Sequence, residues 1–144
     1  MAEGIFRREI AKAGLQDKIR TDSAGTHSYH IGEPPDSRAQ SAISRRGVNI
    51  SGLRGRQVAD VDFDKFDYIL AMDEGNLSIL KRNAPSHAHE KIRLLLSYSR
   101  KYRNQEVPDP YYGGPSGFDE NLDMIEDAVE GLISDIRATF PDNI

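Results

Sequence analysis

The chain has 144 residues, of which 38% are hydrophobic and 29% charged, and its formal net charge is −4. This composition predicts one globular domain over residues 1–144, excludes a disordered chain and argues against a nucleic-acid partner. The sequence has no cysteine, no apolar run of the roughly 18 residues that a membrane span needs, and no signal-peptide centre near Met1. We therefore expect a cytoplasmic protein without disulfides, thiolate metal sites or a cysteine nucleophile of its own.

The first predicted element is a helix in the segment EGIFRREIAKAG, with Gly14 as its C-terminal stop. Its apolar stripe consists of Ile5, Phe6, Ile10 and Ala13. No Ser, Thr, Asp or Asn precedes this helix as a cap, and doubly wound α/β folds normally begin with a strand and a ligand-binding loop. We expect a chain that is truncated at its N-terminus and lacks its first strand.

The following segments alternate between strand and helix patterns. A strand is predicted over about 18–23, and the next helix is capped by Asp36 and ended by Gly47. The apolar run DYILAMD predicts another strand, after which Asp73 caps the helix EGNLSILKRNA. The run KIRLLLS predicts a further buried strand.

The last predicted element is a long amphipathic helix in the segment GFDENLDMIEDAVEGLISDIRATF. Its apolar residues recur at steps of three and four, which is the helical period. They are Phe118, Leu122, Ile125, Val129, Leu132, Ile136 and Phe140. Together, the alternating elements predict an α/β fold with a parallel sheet and helices on both of its faces.

The segment VPDPYYGG holds a carboxylate between two prolines. Because each proline fixes its own φ and pushes the preceding residue toward an extended conformation, Asp109 projects from a stiff loop. A positioned carboxyl group suits a general acid, and the two tyrosines that follow suggest an aromatic leaving group. The alternative is a proline-rich turn that carries a solvated aspartate.

Three segments, in this order and spacing, resemble the low-molecular-weight protein tyrosine phosphatases: TDSAGTHSYHIGEPPDSRAQ, FDYILAMDEGN and VPDPYYGGPSGFDENLDMIEDAVEGL. The resemblance implies a flavodoxin-like, three-layer fold with a parallel four-stranded sheet and helices on both faces. It also implies a two-step reaction. A cysteine thiolate attacks phosphotyrosine while an aspartic acid protonates the departing phenol, and water then hydrolyses the phosphocysteine.

The resemblance assigns roles to individual residues. Asp109 matches the general acid. Tyr29 and Tyr111 match opposite walls of the pocket for the phenyl ring, and Tyr112 matches its rim. Ser23 matches a serine that supports the phosphate loop. The alternative for the tyrosines is a half-buried ring packed on a loop, and Ser23 would then simply end a strand.

The chain departs from the family pattern at several positions. Where some members place a histidine in the network around the phosphate loop, this chain has Leu53. Arg38 matches an arginine at the rim that pairs with Asp36, and an ordinary solvated pair in a first helical turn is the alternative. The signature Cys-x5-Arg-Ser, expected immediately before the first helix, is missing, so we expect the chain as given to be inactive. A misplaced start codon or a truncated gene is the favoured explanation, and a natural pseudoenzyme is the other.

Other chemistries have little support in the sequence. His87 and His89 have i, i+2 spacing, which does not bring both rings to one side of a strand, so no metal site is predicted. The segment SGLRGRQ lacks the lysine and the helix of a nucleotide loop. No cofactor is expected, and the expected partner is a phosphotyrosine-containing protein or a small aryl phosphate. A non-catalytic pseudophosphatase that binds a partner is the alternative function, whereas an arsenate reductase of related fold would need further cysteines.

Overall fold

The computed structural model of the protein describes residues 1–103, 105–109 and 117–142. Within these ranges, no helix is long and apolar enough to cross a membrane. In chain order the elements are α1 (Ala2–Lys12), α2 (Ser37–Ser44), α3 (Asp62–Lys65), β1 (Ile69–Ala71), α4 (Glu74–Asn83), a first 3-10 helix (Ser86–Lys91), β2 (Ile92–Leu94), a second 3-10 helix (Leu95–Tyr98) and α5 (Gly117–Thr139).

The sheet consists of β1 and β2, which pair in parallel with Ile69 opposite Ile92. Leu70 packs against the main apolar core, whereas Ile69 and Ala71 belong to a second cluster on the opposite face. Helices therefore cover both faces of the sheet, as the alternating sequence pattern predicts. The described residues contain only these two strands, so the expected four-stranded sheet is not confirmed.

Two details of the sequence prediction are wrong. No strand forms over residues 18–23: the Leu15 carbonyl accepts the amide hydrogens of Lys18 and Ile19 and closes a turn at the start of this range, and residues 20–23 form no regular element. A parallel contact occurs only after this range, as an isolated bridge between Gly25 and Gln57. Ala13, predicted to lie on the apolar stripe of α1, is exposed.

The local signals for the helices are confirmed. The Asp36 carboxylate caps α2 by accepting the Arg38 amide at 2.8 Å, and the Asp73 carboxylate caps α4 in the same way. Gly47 has a φ of 83°, in the left-handed region that glycine tolerates. Each of these signals lies within a few residues of the helix that it bounds, which explains why the sequence alone predicts them.

The main core forms where α5 packs against α1, α2 and the second 3-10 helix. The predicted stripe of α5 is buried in it, apart from Phe140, which is half-buried and lies beyond the helix. At Gly131 the backbones come so close that a Cβ would lie 1.8 Å from the Tyr98 carbonyl oxygen. Glycine is the residue that permits this approach.

Two arginines just beyond the end of α2 join it to α5, and the first, Arg45, forms an ion pair with Asp119 at 3.7 Å. The Arg46 guanidinium, just beyond the end of α2, bonds the carboxylates of Asp123 at 3.0 Å and Glu126 at 3.2 Å. It also donates to the backbone carbonyl of Asp119 at 3.1 Å. These contacts fix the position of α2 along the long helix.

A carboxylate on α5 also organises the turn that follows the second 3-10 helix. The Asp127 carboxylate accepts hydrogen bonds from the Ser99 hydroxyl, from the Arg100 amide at 2.9 Å and from the Lys101 amide at 3.1 Å. Ser99 is fully buried, so its hydroxyl needs this acceptor. The Ser99 hydrogen bond, with help from the two amides, lowers the pKa of Asp127.

Replacing Asp127→Ala should lower the free energy of unfolding at neutral pH by about 1 to 3 kcal/mol, because the buried Ser99 hydroxyl loses its acceptor. Since the folded-state pKa of Asp127 lies below its unfolded value, its charged form stabilises the protein above that unfolded value, and this stabilisation disappears as pH falls through the folded pKa. The difference between wild type and variant in denaturant titrations should therefore shrink below about pH 4.

Glu130→Ala is the matched control, because it removes an exposed carboxylate from the same helix. A difference between wild type and Asp127→Ala that stays constant from pH 7 to pH 2.5, or an equal loss in Glu130→Ala, would show that the Asp127 carboxylate does not act through these hydrogen bonds.

Candidate functional site

The predicted general acid lies on a segment that follows the carboxyl end of β1. We call residues 105–109 the acid segment. The Val107 amide donates to the carbonyl of Met72, the residue next to β1, at 2.9 Å. Ligand sites in open α/β sheets lie at the carboxyl ends of the strands, so this is the edge at which a catalytic carboxylate is expected.

Two further bonds hold the acid segment. The Glu106 carboxylate accepts the amide hydrogen of Glu74, in the first turn of α4, at 2.5 Å. The side-chain amide of Asn121, on α5, donates to the Pro108 carbonyl at 2.7 Å. Residues 106, 107 and 108 are thus each bonded to a different element of the fold.

Asp109 is exposed at the end of this anchored segment. Val107, two residues earlier, is buried in the main core. The backbone therefore changes from core to solvent within two residues, and the Asp109 carboxylate is on the solvent side. Tyr111 and Tyr112, predicted to line the substrate pocket with Asp109, lie outside the described residues.

Ser23 contacts the first helix. Its hydroxyl donates a hydrogen bond to the Glu3 carboxylate, which also forms an ion pair with Arg7. Glu3 is buried, although it is a charged residue near the start of α1. A buried carboxylate requires such partners, so the hydroxyl and the guanidinium together stabilise the charge of Glu3.

Tyr29 lies on an exposed loop over residues 27–33, which we call the aromatic loop. Its side chain is 77% exposed, and its ring stacks on His27 with the centroids 5.4 Å apart. The far end of the loop is fixed by two bonds at 2.8 Å, from the Gly32 amide to the Gly55 carbonyl and from the Gly55 amide to the Glu33 carbonyl. Tyr29 is thus presented to solvent from a loop with a fixed base.

Arg38 pairs with Asp36, as both sequence interpretations expect. The guanidinium bonds both carboxylate oxygens, at 3.2 and 3.1 Å, and also lies over the Phe118 ring at 5.5 Å from its centroid. The Arg38 hydrogen bond is the main reason that the pKa of Asp36 is lowered. Leu53 is half-buried against the main core.

A second arginine connects the region of Ser23 to α3. Arg56 bonds Asp22 at 3.1 Å and both oxygens of Asp62, at 2.9 and 3.2 Å. Burial raises the pKa of Asp62, but the hydrogen bonds from Arg56 and from the Ala59 amide, together with the charges of Arg56 and Lys65, outweigh burial, and the pKa is lowered. The ion pairs of Arg56 therefore hold the residue before Ser23 against the start of α3.

The sequence analysis missed two residues of this region, Glu3 and Asn121. Each is polar, buried and placed in the apolar stripe of its helix, Glu3 in line with Phe6 and Ile10, and Asn121 one turn after Phe118. A polar residue at such a position costs free energy unless a partner satisfies it. That pattern is visible in the sequence, whereas the identity of the partner is not.

The described residues include the predicted acid, Asp109, but no group of side chains that could bind a metal ion. Within the ranges 1–103, 105–109 and 117–142, no three His, Asp or Glu side chains are placed to hold a metal ion. The full sequence contains no cysteine.

Comparison with known proteins relates the whole chain to one family. The family model for low molecular weight phosphotyrosine protein phosphatase matches residues 1–141. A putative low molecular weight protein-tyrosine-phosphatase of Synechocystis is 43% identical over 94% of this chain and 86% of its own. The low molecular weight protein-tyrosine-phosphatase YfkJ of Bacillus subtilis is 42% identical over 95% of this chain and 86% of its own.

A solved structure agrees with these matches. The crystal structure of a protein tyrosine phosphatase from Entamoeba histolytica, with Hepes in its active site, superimposes with a TM-score of 0.92. It is 38% identical, and the alignment covers 96% of this chain and 88% of that one.

Replacing Gly55→Ala should displace the aromatic loop, because the new Cβ would lie 2.2 Å from the His30 carbonyl oxygen. Overpacking of this kind typically costs about 1 to 3 kcal/mol, so thermal melting should show a lower midpoint, and the NMR signals of the Tyr29 ring should shift.

The matched control is Gly52→Ala, since a Cβ at Gly52 meets no atom within 4 Å. Unchanged Tyr29 signals in Gly55→Ala, or equal changes in both variants, would contradict the close contact between Gly55 and the aromatic loop.

Proposed function

Because the chain belongs to the low molecular weight phosphotyrosine protein phosphatase family, we propose that it supplies the general acid of a phosphotyrosine phosphatase site, and that this acid is Asp109. The observation that carries the proposal is the acid segment: three consecutive residues bonded to Glu74, Met72 and Asn121, followed by an exposed carboxylate. An anchored backbone limits the positions that the carboxyl group can take, so less entropy is lost when it meets a substrate, which favours general acid catalysis.

In the proposed reaction, a cysteine thiolate attacks the phosphorus of phosphotyrosine, and the bond between phosphorus and the phenolic oxygen breaks. Asp109 donates its proton to that oxygen, so that phenol leaves rather than phenolate. In the second step water attacks the phosphorus of the phosphocysteine and the Asp109 carboxylate accepts a proton from that water, while the bond between sulfur and phosphorus breaks and the thiolate and phosphate are released. The 144 residues contain no cysteine, so we propose that the chain as given lacks both the nucleophile and the phosphate loop.

We assign the substrate contacts from the family resemblance. Tyr29 and Tyr111 would form the walls around the phenyl ring, with Tyr112 at the rim. The exposure of Tyr29 on the aromatic loop supports this assignment, because a wall residue must face the ligand. Ser23 would support the phosphate loop, in line with its bond to the buried Glu3. We also propose a four-stranded flavodoxin-like sheet for the complete domain, and a cytoplasmic location.

The absence of cysteine favours a second candidate, a non-catalytic pseudophosphatase. Such a protein would keep the scaffold and bind a partner through exposed residues such as Tyr29. The two candidates differ in one respect that can be measured: only the enzyme gains activity when a phosphate loop is supplied.

The 144-residue chain should not hydrolyse para-nitrophenyl phosphate above background. Loss of a nucleophile that forms a covalent intermediate removes most of the rate enhancement of an enzyme. The assay measures nitrophenolate release by absorbance, with Bacillus subtilis YfkJ as the positive control in the same buffer. Turnover that persists after rigorous purification and disappears in Asp109→Ala would overturn this expectation.

An extended chain, in which an apolar strand and a Cys-x5-Arg-Ser loop precede Met1, should become active. In it, Asp109→Asn should lower kcat about 10²- to 10⁴-fold for aryl phosphates with poor leaving groups, because the phenolate then departs without a proton. The loss should shrink as the pKa of the leaving phenol falls, which a series of substituted aryl phosphates measures.

Asp73→Asn is the matched control in the extended chain, because it neutralises a carboxylate at the N-cap of α4. An effect of Asp109→Asn that is independent of the leaving group, or no larger than that of Asp73→Asn, would rule out Asp109 as the acid. An extended chain that folds but stays inactive would favour the pseudophosphatase.

A further inference from the structure

We propose that Asn121 is a positioning residue that sets the orientation of the Pro108–Asp109 peptide and, through it, the direction of the Asp109 side chain. The inference rests on the proposed function of Asp109. It adds a residue of α5 to the site, at a position that the sequence analysis did not consider.

The environment of Asn121 is the first argument. Its side chain is only 2% exposed, and its neighbours along the stripe of α5 are Phe118, Leu122 and Ile125. A buried amide among apolar side chains costs free energy unless it is hydrogen-bonded. If this position served packing alone, an apolar residue would fill it at least as well. The hydrogen bond of the Asn121 amide is therefore the reason to expect a further role for this residue.

The acceptor of that bond is the second argument. The Asn121 amide donates to the Pro108 carbonyl at 2.7 Å, and this carbonyl belongs to the peptide plane that begins Asp109. The proline ring already fixes φ of Pro108, so ψ is the remaining freedom that turns this plane. Because a hydrogen bond to the carbonyl holds its direction, Asn121 fixes ψ.

The neighbouring bonds complete the argument. On the other side of Pro108, the Val107 amide is held by the Met72 carbonyl at 2.9 Å. The Val107 amide is bonded, ψ of Val107 is restricted by the proline that follows, φ of Pro108 is fixed by its ring, and the Pro108 carbonyl is held by Asn121, so each backbone torsion that leads into Asp109 is restrained. Removing the Asn121 amide would free ψ of Pro108, the torsion that directly precedes Asp109.

The first experiment measures this freedom in the 144-residue chain. Val107 carries the last amide hydrogen before Pro108, so its exchange with deuterium reports the opening of the acid segment. In Asn121→Val, exchange at Val107 should be roughly 5- to 10-fold faster, the factor expected for one lost hydrogen bond, while the β2 amides keep their rates. The matched control, Ile125→Val, removes a methyl group from another fully packed position of the same stripe.

The second experiment asks whether Asn121 acts through Asp109. In the extended chain, Asn121→Val should lower kcat for a poor leaving group about 10-fold with KM unchanged, because the acid is misdirected but the pocket is intact. The same substitution placed in an Asp109→Asn background should have no further effect on kcat. A residue that only stabilises the fold would lower activity by the same factor in both backgrounds.

The proposal would be supported if Asn121→Val made exchange at Val107 faster and lowered kcat only in the chain that retains Asp109. Exchange at Val107 no faster than in Ile125→Val, or equal losses of kcat in both backgrounds, would overturn it. If Asp109→Asn alone left kcat unchanged, the proposed function would fail instead, and the exchange result would still decide whether Asn121 holds the acid segment.

Discussion

The burial of one face of α5 is the interaction on which the rest of the structure depends. This face packs against α1, α2 and the second 3-10 helix, and it supplies much of the main core. Each fully buried Leu, Ile or Phe contributes about 1.5 to 3 kcal/mol, so the stripe as a whole outweighs any single polar contact. Segments that are far apart in sequence, from α1 to the second 3-10 helix, are thereby held together against α5.

The polar residues of α5 then fix what the apolar face brings together. Asp123 and Glu126 bind Arg46 and hold the end of α2, while Asp127 organises the turn after the second 3-10 helix. Asn121 reaches the carbonyl before Asp109. Apolar contacts tolerate small sliding movements, whereas hydrogen bonds require particular distances and angles, so these residues determine where each segment sits along the helix.

The sequence predicted the parts of the fold that depend on neighbouring residues. Asp36 and Asp73 cap helices within their own segments, and the period of α5 is set by residues three and four apart. The strand expected over 18–23 does not form: a strand needs a partner distant in sequence, which a local pattern does not reveal, and a turn at Leu15 holds the first two residues of this range. Within the candidate site, the two prolines beside Asp109 and the family resemblance indicate its role as the acid, and this role stays a prediction. The contact of Asn121 could not be predicted, because no local pattern identifies the Pro108 carbonyl as its acceptor.

The two apolar clusters differ in how far apart their members lie along the chain. The smaller cluster joins Phe63, Leu80 and Ile92, which fall within one stretch of the sequence, whereas the main core joins Ile5 to Ile136. The entropy lost on closing a loop grows with its length, and the difference between these two closures is about 1 kcal/mol. The order of folding should follow: the sheet and α4 assemble early around the smaller cluster, and α1 and α5 dock later. The acid segment, which bonds to both parts, would acquire its final geometry only at the last stage of folding.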